Sequence, residues 1–198
     1  MHNIQFFDGT RYMLPLQSQK KAMWLKQMAQ AGTPAAGLDG MDTEQAPGGS
    51  LANLNLPELM QGNHAAVLFC ISLLDQIAIY DDLIDGDKPV THDMVHKAFW
   101  IANVDMPRNP FYKMHFDVLN PLIMQAINNW RIANRLENAG KSSEISFIIR
   151  SSYADILTMC CFLIGGNDYA ESAGEVIRQI IHDEGLEAYL QEMKEMKG

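Results

Sequence analysis

The sequence predicts an all-α fold, a single-domain bundle of about six helices with a long N-terminal loop or arm, and three observations predict it. Apolar residues recur at three- and four-residue steps over most of the chain after Pro57. No stretch alternates with strand period over a useful length, and nothing repeats at a fixed period. Capping residues precede the apolar runs and Gly or Pro follows them. With 198 residues, 47% of them hydrophobic and 20% charged, the chain has the composition of a globule large enough for a real core.

The elements follow in order. "FDGTRY" predicts a tight turn or short hairpin, and "QSQKKAMWLKQMAQ" a helix with Ser18 as cap candidate, ending at Gly32. From Gly32 to Leu56, five glycines with Pro34 and Pro47 and no periodicity predict an irregular arm. Residues 1–56 therefore form an N-terminal turn, short helix and arm, and 57–198 a helical core. The longest helix is expected from Pro57 to about Ile84, with Leu59, Met60, Val67, Cys70, Leu74 and Ile77 on one stripe, stopped by Gly86 and Pro89. Thr91 caps a helix over "HDMVHKAFWIAN", and "VDMPRNP" breaks the chain again. Three more helices are expected: "FYKMHFDVLNPLIMQAINNWRIANRLEN", kinked at Pro121; "SSEISFIIRSSYADILTMCCFLIGG"; and "DYAESAGEVIRQIIHDEGLEAYLQEMKE".

Charge and cysteine usage narrow the function. A net charge of −9 without a basic run works against binding to nucleic acid or anionic lipid. Cys70, Cys160 and Cys161 lie in apolar segments with no C-x-x-C spacing, and read as buried thiols of a reducing compartment. The chain opens without a basic region followed by an apolar run, and "AAVLFCISLL" ends at Asp75 after ten residues, short of a membrane span. A cytoplasmic protein with no membrane partner is expected. The methionines at 106, 114, 124, 159, 193 and 196 are expected as adaptable packing in core or interface, core for most of them, and Trp130 suits either a binding surface or the anchoring of a helix pair.

Chemistry gathers in "IYDDLIDGDKP", where Asp81, Asp82, Asp85 and Asp87 fall within seven positions and Lys88 is the local cation. On a helix Asp81 or Asp82 can share a site with Asp85, and carboxylates at a helix C-terminus oppose both the dipole and one another. Clustered hard oxygen ligands suit Mg²⁺ held with substrate phosphates. "DDLID" resembles the D-D-x-x-D motif of class I isoprenoid synthases, all-α enzymes, and "NDYAESAGE" is similar to the second metal motif of terpene cyclases through Asn167, Asp168 and Glu175, with Glu171 in place of Ser or Thr. The resemblance implies Mg²⁺ on Asp81, Asp82 and Asp85, with Asn167, Glu171 and Glu175 as a second half, acting on a diphosphate. Lys88-Pro89-Val90 stands where prenyl synthases carry paired arginines, and no Arg-Tyr pair occurs in the last helix. Structural readings exist for the same residues. Gly86-Asp87-Lys88-Pro89 is an ordinary polar helix exit, and Asp168 with Glu171 makes a capping box. Because Asp81 continues the stripe of Leu74 and Ile77, it is expected to be the most buried of the four, partnered by Arg131, Arg135, Arg150 or Lys113.

Other constellations are thinner. His64, His92-Asp93 and Asp155 resemble the ligand order of HD-type phosphohydrolases, though Thr91-His92-Asp93 also reads as a helix start. No G-x-S-x-G, H-E-x-x-H or P-loop spacing occurs, so no nucleophile is nominated. The resulting expectation is a non-catalytic helical assembly or partner-binding protein, working with a protein partner or copies of itself and encoded by a phage or other mobile element. The alternative is the Mg²⁺-dependent synthase-like enzyme.

Overall fold

The structure is a computed structural model that describes residues 2–5, 11–14, 53–86, 88–141, 143–182 and 185–195; the side chains of 2–5, 11–14, 85, 192, 193 and 195 are outside the description. The chain divides into two units, Met1–Ala52 and Asn53–Gly198. In the first, β1 (His2–Gln5) pairs antiparallel with β2 (Arg11–Leu14), His2 opposite Leu14 and Gln5 opposite Arg11. This is the hairpin expected around "FDGTRY". The expected helix over 17–30 and most of the arm lie outside the described residues.

The second unit is all-α. A single turn, α1 (Leu56–Leu59), precedes the long α2 (His64–Asp85) and α3 (His92–Trp100). Helix α3 runs directly into a π-helical stretch, Ile101–Asp105, and a last turn, Met106–Arg108. Then come α4 (Pro110–Met114), α5 (Phe116–Asn138), α6 (Ser143–Arg150), α7 (Tyr153–Gly165), α8 (Asn167–Ile181) and α9 (Gly185–Glu195).

Several helices are shorter than the apolar periodicity implies, because polar punctuation inside each run outweighs it. The run from Pro57 breaks at Gln61 (φ 47°) and Gly62 (φ 73°), after which Asn63 accepts a hydrogen bond from the Ala66 N–H at 3.1 Å and starts α2. "VDMPRNP" does not break the chain where expected: helix continues to Arg108, and Asn109 makes the break by capping α4 through the Tyr112 N–H at 3.0 Å. The next run is cut at His115, the following one at Ser151-Ser152, and the last before Gly185 (φ 73°). The expected capping box is not formed. Gly166 occupies the cap, and Glu171 instead accepts from the Asn167 side chain at 2.8 Å. Two stops fall as expected: Gly86 (φ 69°) ends α2, and Thr91 caps α3 through the Met94 N–H at 3.2 Å.

The core lies between α2, α7 and α8, where Met60, Phe69, Cys70, Ile156, Leu157, Cys160, Cys161 and Ile177 are buried. Phe69 stacks on Tyr112 at 5.3 Å and tilts against Phe111 at 6.2 Å, which fixes α4 on α2. The Asn109 side chain ties the same junction by donating to the Ala65 carbonyl at 2.8 Å. All three cysteines are buried as expected, and burial with the neighbouring Cys160 pushes the Cys161 thiol up to about 12, so it stays neutral. Ser143–Gly165 is long and apolar enough to cross a membrane by length and composition, a longer apolar stretch than "AAVLFCISLL" once its interrupting charges are admitted. It folds as two helices, and Arg150 and Asp155 within it make ion pairs to α5 and α8.

Candidate functional site

Two features compete for the role of site: a charged hub at the C-terminal end of α2, and an apolar groove between the π-helical stretch and α5.

The hub is centred on Arg150, the last residue of α6. Its Nε donates to Glu137 Oε1 at 3.2 Å and its Nη2 to Glu137 Oε2 at 2.5 Å, while Nη2 also reaches Asn134 Oδ1 at 2.7 Å. Nη1 stands 3.7 Å from Asp81, and the guanidinium lies over the Trp130 ring, 5.3 Å from its centroid. Tyr80 meets that ring edge-on at 5.7 Å. The hydroxyl of Tyr189 on α9 donates to the buried Glu137 as well. Burial pushes the Tyr189 and Tyr153 hydroxyls up, and the nearby Glu137 and Asp81 carboxylates add to the shift respectively, so both phenols stay protonated. The hub thus joins α2, α5 and α6 through one guanidinium, and α9 through Glu137.

Between Asp81 and Asp82 the order of burial is the reverse of that expected. The Asp82 side chain is 12% exposed and pairs with Lys88 at 3.5 Å, whereas that of Asp81 is 46% exposed. Position on the apolar stripe misled because the buried line of α2 runs through Ile71, Ile79 and Asp82, while Leu74 and Ile77 on the expected stripe are only half-buried. The cation facing Asp81 is Arg150, one of the four named. Asp87 and the side chain of Asp85 lie outside the described residues.

The second half of the metal reading lies on α8. Asn167, Glu171 and Glu175 are exposed; Asn167 holds Glu171, and Gln179 donates to Glu175 at 3.2 Å. Among the described residues no three His, Cys, Asp or Glu side chains converge as metal ligands. Asp155 of the HD-like order pairs with Arg178, and burial lowers the His64 pKa.

A Ser–His contact appears that no motif signals. Ser151 Oγ and His182 Nε2 are 3.1 Å apart, across 31 residues. The Ser151 proton is directed to the Ile148 carbonyl at 2.8 Å, which makes the imidazole the donor and the serine a helix-end contact.

The groove holds about 640 Å³ and is walled by Ala102, Met106, Pro107, Phe116, Ile123 and Ile127, with Gln76, Tyr112 and Lys113 as its polar members. Two of those polar groups are already engaged: Gln76 donates to the Ala98 carbonyl at 3.4 Å, and the Tyr112 hydroxyl to Asn120 at 3.0 Å. The elements around the groove leave large apolar side chains in solvent, Phe99 at 72% and Met114 at 78%, with Trp100, Phe116, Met124 and Ile127 near half. Of the methionines expected in core or interface, Met114 and Met124 are surface residues and Met106 is buried, as is Trp130. Sequence reasoning overlooked this face because its apolar residues have the same spacing as core residues.

No family model matches the chain, no curated protein matches it, and no solved structure matches its fold.

Proposed function

We propose that this is a non-catalytic helical protein whose task is assembly: it docks another protein chain and transforms no small molecule. The groove lined by Phe116 and Ile127, together with exposed Phe99, Met114 and Met124 on the elements that border it, is the observation that supports this reading, since exposed apolar surface with few charges is a mark of protein–protein contact. The engagement of Asp81 by Arg150 and of Asp82 by Lys88 supports a structural role for the acidic run over Mg²⁺ chemistry. Light scattering on the purified chain, with assay of Mg²⁺-dependent diphosphate release from a prenyl diphosphate, tests it. A particle heavier than the 22.2 kDa chain and no release are expected. A strict monomer that releases diphosphate overturns the proposal.

A further inference from the structure

The partner can be specified further, on the reading that the protein assembles. We propose that the exposed face of α5 pairs with the same face of a second copy, the two helices running antiparallel about a two-fold axis at Met124. Charge argues for it first. The chain carries −9 overall, so copies repel except where carboxylates are scarce. From Val118 to Trp130, α5 has no ionisable side chain, and the midpoint of that run is Met124. Asp117 stands seven residues before Met124 and Arg131 seven after, so all three share one face of the helix, and all three are exposed. An antiparallel copy centred on Met124 therefore sets Asp117 against Arg131 of the second copy at each end, with the uncharged runs overlaid. The pattern is complementary to itself, as an isologous contact requires.

Area argues for it second. Aromatic side chains offer roughly 150–250 Å² each, so Phe99, Trp100 and Phe116 at 72, 49 and 47% exposure leave on the order of 350 Å² of ring in water. Met114, Met124 and Ile127 are 78, 57 and 49% exposed, and raise the apolar surface toward the ~800 Å² that each partner gives to a stable interface. Phe99 lies in the last turn of the helix that runs into the groove wall at Ala102, and Met114 lies on α4 beside the lining residue Lys113, so both belong to elements that border the groove. Methionine at the axis suits a self-contact, because its unbranched side chain adapts to its own copy.

Because Cys70, Cys160 and Cys161 are buried, a cysteine placed at 124 reports on the axis. Sedimentation of the full chain should give twice 22.2 kDa at micromolar concentration. Met124→Cys should form an intermolecular disulfide with diamide as oxidant, whereas Phe162→Cys, exposed on α7, should not. Asp117→Arg should weaken pairing about tenfold by setting two arginines together twice per dimer, and Asp117→Arg with Arg131→Asp should restore it, a recovery that misfolding cannot imitate. A wild-type monomer at ~100 μM overturns the inference, and if that monomer holds a different protein chain the assembly reading survives it. A dimer that ignores both the charge reversal and the cysteine at 124 pairs elsewhere, and again only this inference falls. A monomer that releases diphosphate removes both.

Discussion

Arg150 grips Glu137 with two nitrogens, Nε at 3.2 Å and Nη2 at 2.5 Å, across the turn that joins α5 to α6. Glu137 is buried and also accepts from Tyr189, so the pair closes a network in which each partner depends on the other. Arg150→Met leaves the carboxylate buried without its counter-charge and is expected to cost ~3–5 kcal/mol, read as a lowered urea midpoint. Glu137→Gln with Arg150→Met should cost clearly less than the sum of the two single changes. Additive losses would show that the pair is not coupled.

Asp105 sits buried in the π-helical stretch and accepts from Trp100 Nε1 at 3.1 Å. Burial raises its pKa above the ordinary 3.8, and the Trp100 bond offsets part of the rise. The folded form thus keeps its proton to higher pH than the unfolded chain. The stability this contributes is complete below 3.8 and is lost as pH rises through the folded value. Asp105→Asn keeps an acceptor for Trp100 and removes the buried charge, so its urea midpoint should exceed that of wild type at pH 7. The advantage should vanish below about pH 4. An advantage unchanged between the two pH values would trace to something other than ionisation.

Gly165 ends α7 where a methyl group has no room: a Cβ there would lie 2.6 Å from Tyr169 Cδ1 and 2.9 Å from the Gln61 side chain. The ring cannot swing aside freely, because the Tyr169 hydroxyl donates to the Leu59 carbonyl at 2.7 Å. Gly165→Ala should therefore destabilise by ~1–3 kcal/mol. Gly174→Ala, whose Cβ would meet Thr158 Cγ2 at 3.1 Å, should cost less, and thermal melts of the two variants give the comparison.

The fold class was legible because helical periodicity and strong caps agree: Thr91 and Gly86 act where expected. The breaks at Gln61-Gly62, His115 and Ser151-Ser152 were not, since each sits inside an apolar run whose period survives the interruption. At the hub, Arg150 was nameable because few cations are available to meet a carboxylate at the end of α2. Glu137 and Tyr189 were not, because pairing across 13 and 52 residues depends on how helices cross. The groove was illegible for a different reason: Phe116 and Ile127 keep core spacing, and only packing shows that α5 has more apolar face than the bundle covers.

The π-helical stretch Ile101–Asp105 is, in effect, an α-helix with one residue too many. The surplus turns everything after it by about 100°, the angle one residue subtends on a helix. Deleting a single residue between Ile101 and Asp105 would restore the α-helical register and swing Met106 and Pro107 away from the groove they wall, while every side chain kept its chemistry. The shape of that wall is set by chain length at one point, so lineages carrying this protein should tolerate substitution there far better than a one-codon gap.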